Sequence, residues 1–146
     1  MRALLISATL FLVACTPEGE SGGGSATPPA LSAAAGELWN TAWVADTVEG
    51  KPIVPTGAIT LTFGNGQAGG SSGCNSYSGG VTAKDGAIKI GFLASTMMAC
   101  SEEGRMQQEA AYTRLLRDAV RYEQPSTTQL TIFAADGRAA AFTAKR

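Results

Sequence analysis

Ile59-Thr60-Leu61-Thr62-Phe63-Gly64-Asn65-Gly66-Gln67-Ala68-Gly69-Gly70 sets the architecture of this 146-residue chain. Ile59 to Phe63 alternates apolar and hydroxyl side chains with a period of two, so Ile59, Leu61 and Phe63 share one face of a half-buried strand. Gly64-Asn65-Gly66 supplies residues that tolerate positive φ, as a tight hairpin requires, and Gln67 to Gly70 reads as the returning strand. The grammar recurs twice. Gly80–Ala83 and Ala87–Ile90 flank Asp85-Gly86, and Gln129–Phe133 and Ala139–Thr143 flank Asp136-Gly137. Trp43 to Thr47 reads as a further strand that leaves through a polar turn at Gly50-Lys51-Pro52. Three hairpins in a small domain predict a mainly antiparallel sheet.

One helix interrupts the strands. Tyr112, Leu115, Leu116, Ala119 and Val120 stand at i, i+3, i+4, i+7 and i+8, an apolar stripe that predicts a helix over 103–122. Gly104 falls in its first turn and Pro125 beyond its end. Glu102 and Glu103 at the start, with Arg117 and Arg121 near the end, suit the helix macrodipole. Arg105, Arg114, Arg117 and Arg121 read as its solvated face. The order of strands, helix and strands defines an α+β fold class, with one helix packed against a strongly curved, mainly antiparallel sheet.

Ahead of this domain the composition differs. Arg2 is followed by an uncharged, mostly apolar run, Ala3 to Val13. As a helix that run would span about 16 Å, roughly half of a bilayer's ~30 Å hydrocarbon core. That length suits a signal peptide and not a permanent membrane span. Leu12-Val13-Ala14-Cys15 resembles the lipobox of bacterial lipoproteins. The resemblance implies cleavage after Ala14 and fatty acylation of Cys15, palmitate being one such chain, and two or more acyl chains anchor a protein stably. The Pro-, Gly- and Ser-rich stretch after it cannot bury enough apolar surface to offset its ordering entropy. It reads as a flexible leash of about 25 Å root-mean-square span. The expected organisation is a lipoprotein signal peptide over 1–14, a lipid-anchored linker over 15–37 and a folded domain over 38–146. Thr16 follows the cysteine, so in a Gram-negative host the expected location is the inner leaflet of the outer membrane, with the domain on the periplasmic side.

The formal net charge of −1 and scattered basic residues exclude a nucleic-acid field. Histidine is absent, which removes the commonest general base and metal ligand. With Cys15 acylated, Cys74 and Cys100 remain. An exported chain with two leftover cysteines usually oxidises them, although both also fit as buried apolar groups. A catalytic thiol would have no obvious activating base. The segment from Gly69 to Gly79 lacks the lysine of a phosphate-binding loop and the glycine spacing of a dinucleotide site. A bent strand and turn, with Asn75 in a left-handed or Asx-turn conformation, accounts for it better.

Gly73-Cys74-Asn75-x-Tyr77-x-Gly79, then Thr96-Met97-Met98-Ala99-Cys100, then Gln108-Glu109 leading into Leu115-Leu116, resembles the META domain, the domain of the bacterial heat-shock lipoprotein HslJ and its relatives. The resemblance spans about residues 38–144. It implies a partial barrel with a helix at its concave side and no established catalytic residues. It also implies association with envelope stress and with resistance to antibiotics such as novobiocin. The motif residues carry structural expectations. Gly73 and Gly79 allow bends, Tyr77 and Trp43 fill the core, and Met97 and Met98 pack from a strand. Glu109 is expected to satisfy backbone donors near the turn.

The functional expectation is a non-enzymatic cell-envelope lipoprotein that binds or stabilises an envelope protein, peptide or lipid tail. No cofactor, metal or nucleic acid is expected, and the chain is expected to act as a monomer. The alternative is an inhibitor of a periplasmic or secreted hydrolase such as a protease or lysozyme. An enzyme working through Glu109 or Asp46 would need two carboxylates converging in one pocket.

Overall fold

Three two-residue turns organise the first half of the domain. Glu49-Gly50, Asn65-Gly66 and Asp85-Gly86 each place two consecutive residues at positive φ, 51° and 74°, 51° and 73°, and 51° and 81°. That pattern matches the right-handed twist of the strands it joins. In the computed structural model, which describes residues 37–146, these turns link β1 (Thr41–Val48) to β2 (Lys51–Pro52), β3 (Thr60–Gly64) to β4 (Gln67–Ser71), and β5 (Ser76–Lys84) to β6 (Ala87–Ile90). The first turn is therefore Glu49-Gly50, and Lys51-Pro52 already pair back onto Val48 and Thr47. β7 (Ala94–Ser95), α1 (Arg105–Arg117), β8 (Ala119–Ser126), β9 (Gln129–Ala134) and β10 (Ala139–Ala144) follow. The expected signal peptide, Cys15 and the linker up to residue 36 lie outside the described residues.

The α+β fold class holds, and the curvature of the sheet goes to completion. Eight antiparallel strands, in the order β1-β3-β4-β5-β6-β8-β9-β10, return to β1 through pairs such as Trp43 with Ala144 and Val44 with Thr143. Closure removes the exposed edges that an open sheet would leave. The seam between β6 and β8 is the thinnest. It rests on the pair Ala87 and Arg121, with the Tyr122 N–H donating to the Gly86 carbonyl at 2.8 Å. Trp43, Phe63, Phe142, Leu61, Leu130 and Ile132 are all fully buried inside the ring.

The helix is shorter than its apolar stripe. α1 ends at Arg117, and Ala119, Val120 and Tyr122 belong to β8. A stripe at i+7 and i+8 cannot distinguish a continuing helix from a strand that starts on the same side. Closure decides it, because a strand must fill the gap between β6 and β9, and Val120 and Tyr122 suit one. Tyr112, Leu115 and Leu116 are buried against β1, β6, β9 and β10, as expected, whereas Val120 is half exposed. Pro125 does not end a helix. It sits in β8, where the β8–β9 register shifts between Glu123 and Ser126 and the strand has run past the β5–β6 turn, a place where a missing N–H is tolerated. Gly104 is the residue that caps α1, at φ 82°, so Glu102 and Glu103 precede the helix. Among the described residues no helix is long and apolar enough to cross a membrane.

Candidate functional site

The motif residues converge where the β4–β5 turn meets the loop after β7 and the first turns of α1. Ser72, fully buried, donates from both its N–H and its hydroxyl to the Asn75 carbonyl, each at 2.8 Å. This closes a tight turn with Gly73 at φ 106°, where a Cβ would lie 2.9 Å from Gln108 Nε2 and 3.0 Å from the Gly57 carbonyl oxygen. Glycine is required there on both counts.

Asn75 is the hub, and it is not left-handed. Its Oδ1 accepts from the Met98 N–H at 2.7 Å and from the Thr96 hydroxyl at 2.9 Å. Its Nδ2 donates to the Met98 carbonyl at 3.2 Å and to the Glu109 carboxylate at 3.0 and 3.1 Å. Glu109 therefore takes a side-chain amide instead of the backbone donors expected of it. Cys74 and Cys100 form a disulfide beside this hub. Closing the loop between two cysteines 26 residues apart stabilises the fold by roughly 3.5 kcal/mol on the chain-entropy model.

Below the hub, the Tyr77 hydroxyl bonds the Tyr112 hydroxyl at 2.6 Å and donates to the Thr60 carbonyl at 3.0 Å. Tyr77 thus fills the core as expected, but through a polar tip as well as a ring. Burial pushes both hydroxyls well above the ordinary tyrosine range. Gly79 serves close approach instead of a bend: a Cβ there would come 2.7 Å from the Phe92 carbonyl oxygen and 2.8 Å from Leu93 Cδ2.

Sequence reasoning missed the helix face that receives this cluster. Arg105, Gln108, Glu109 and Tyr112 stand at i, i+3, i+4 and i+7, the spacing of one face. Arg105 donates to the Gly73 carbonyl at 2.6 Å, so it is not part of a solvated face. Gln108 donates to the Gly57 carbonyl and accepts from the Val54 N–H, both at 2.7 Å. Scanning for apolar periodicity alone passes over a polar face. The same spacing rule applied to polar residues would have found it.

Arg121 also departs from the solvated face, since it lies over the Phe133 ring at 3.7 Å. Met97 and Met98 depart furthest from expectation. They sit beyond β7 and not on a strand, and they are 97% and 58% exposed instead of packed. Asp46 lies in the bulge of β1 and accepts from the Thr143 hydroxyl at 2.8 Å, so the structure gives it and Glu109 separate partners. Arg138 gathers Asp136, Asp118 and Glu49 near the β9–β10 turn and holds the Asp136 carboxyl below its usual range. A cleft of about 270 Å³ lies between Glu49, Lys51, Val54, Gln107 and Ala111, at the small end of what a ligand pocket needs.

Chemically, the cluster is a set of donors and acceptors used on one another. Two solved structures share the fold. One is the NMR structure of a protein from Burkholderia xenovorans, 29% identical, covering 74% of this chain and 83% of its own, with a TM-score of 0.60. The other, also an NMR structure, is 23% identical over 71% of this chain and 88% of its own, with a TM-score of 0.59. Among curated proteins none is significantly similar in sequence. The META domain family model matches residues 36–146, which takes in every strand of the barrel, the helix and the whole Asn75 cluster. With fold and motif both accounted for over that span, the chain belongs to the META domain family.

Proposed function

We propose that the protein is a non-enzymatic cell-envelope lipoprotein whose META domain binds or stabilises an envelope component through its outer surface. One observation carries the reading. The polar groups of the family motif are committed to each other, Asn75 to Thr96, Met98 and Glu109, and Tyr77 to Tyr112 and Thr60. Groups so committed build a rigid module; a catalytic constellation leaves a nucleophile and base facing an open position. The filled ring supports contact at the surface over capture of a lipid tail inside the barrel.

The lipobox-like Leu12-Val13-Ala14-Cys15 supports the anchor, and the disulfide supports an oxidising compartment. The family's association with envelope stress supports a role when the envelope is damaged. Expression in a bacterium with radiolabelled palmitate, followed by intact-mass measurement, tests the anchor. The expected product begins at Cys15 and carries acyl chains. An unacylated product would remove the lipoprotein reading. Cross-linking in native envelopes is expected to capture a specific component, and a domain that captures none would leave the binding role without content.

A further inference from the structure

We propose that Met97 and Met98 form a reversible sulfoxidation site, oxidised by two-electron oxidants such as hydrogen peroxide without disturbance of the barrel. The inference rests on the described domain alone and is independent of the membrane anchor.

Four observations carry it. Met97 is 97% exposed and Met98 58% exposed, whereas Met106, on α1, is 41% exposed. The backbone that bears the pair is held on both sides. Asn75 holds Met98 by both its N–H and its carbonyl and also holds Thr96, and Cys100 is bonded to Cys74. The Thr96 N–H donates in addition to the Ser76 carbonyl at 3.0 Å. Finally, neither methionine is among the buried core residues or the side chains packed against them.

Flexible apolar side chains kept in solvent by a rigid backbone serve no packing purpose. Their thioether sulfurs meet a dissolved oxidant without any opening of the fold, and susceptibility follows exposure. In the step itself, the sulfur lone pair attacks one peroxide oxygen and the O–O bond breaks. The attacked oxygen stays on sulfur as the sulfoxide, a two-electron oxidation, and its proton passes to the expelled hydroxide, which leaves as water. The outer face of the loop then changes from apolar to polar and chiral, and methionine sulfoxide reductases reverse the change.

The test treats the purified full chain with graded hydrogen peroxide and follows each methionine by peptide mass mapping, with thermal unfolding in parallel. The expected result is one and then two added oxygens on the peptide containing Met97 and Met98, Met97 first. Met106 should follow Met97 more slowly, in line with its lower exposure. The melting temperature should not change, and sulfoxide reductases should restore the original mass. Oxidation of Met106 as fast as Met97, or a lowered melting temperature after loop oxidation, would overturn the proposal. A Met97→Leu/Met98→Leu chain should keep its melting temperature and take up oxygen at Met106 alone in the described domain. A lowered melting temperature in that variant would show that the pair packs after all, and would equally defeat the idea.

Discussion

Asn75 uses its whole side-chain capacity, two N–H donors and two acceptor lone pairs, on groups that lie 21 to 34 residues away in sequence. The β4–β5 turn, the loop after β7 and helix α1 are joined through one amide. Asn75→Ala leaves the Met98 backbone groups without their partner, a loss of about 2–3 kcal/mol. Asn75→Asp keeps the acceptors but sets a second carboxylate against Glu109, and like charges at that range cannot both ionise comfortably. In urea unfolding at neutral pH the aspartate variant is therefore expected to be less stable than the alanine variant. Its deficit against the alanine variant should shrink as pH is lowered, because the crowded carboxylate pair then takes up a shared proton. An aspartate variant as stable as the native chain at neutral pH would refute the hub. The local sequence around Asn75 reads as a turn residue because every partner is remote, and turn chemistry is the only signal that Gly73-Cys74-Asn75 carries by itself.

At the level of elements, β5 shows how one strand serves two close neighbours. It pairs with β4 on one side and with β6 and then β7 on the other. Gly79 lies where Phe92 and Leu93 cross it, with no room for a methyl group, whereas beside Gly80 the space is open. Gly79→Ala should cost about 1–3 kcal/mol through forced backbone shifts. Gly80→Ala should be neutral or slightly stabilising, by about 0.5 kcal/mol, since it restricts the unfolded chain without a clash. Equal effects of the two substitutions in chemical unfolding would contradict the close approach. The hairpins of β5–β6 and β9–β10 were legible because a turn residue pair and its flanking alternation are local. The α1–β8 boundary was not legible, because 3.6-residue spacing persists by coincidence across residues that closure of the ring turns into a strand.

For the whole molecule, the Tyr77–Tyr112 pair ties the barrel wall to its helix and makes stability depend on alkaline pH. Burial raises both hydroxyls' pKa, so the folded domain keeps its protons above pH 10 where the unfolded chain loses them. Stability from this source is complete below that pH and falls as pH rises beyond it, by up to about 1.4 kcal/mol per pH unit for each tyrosine. Urea midpoints measured from pH 8 to about 11 should be level at first and then drop, and Tyr112→Phe should reduce the drop by one tyrosine's share. A native chain and variant with the same alkaline slope would show that the pair does not bear this load. The sequence by itself determined the antiparallel sheet, most of its turns, the cysteines available to pair and the family, because alternation, positive-φ turn residues and motif spacing all act over short stretches. Tertiary structure decided that the sheet closes, where α1 gives way to β8, that Arg105 and Glu109 face inward, and that Met97 and Met98 face water. Each of these depends on which segments meet across the ring, and contacts between distant residues leave no periodic trace along the chain.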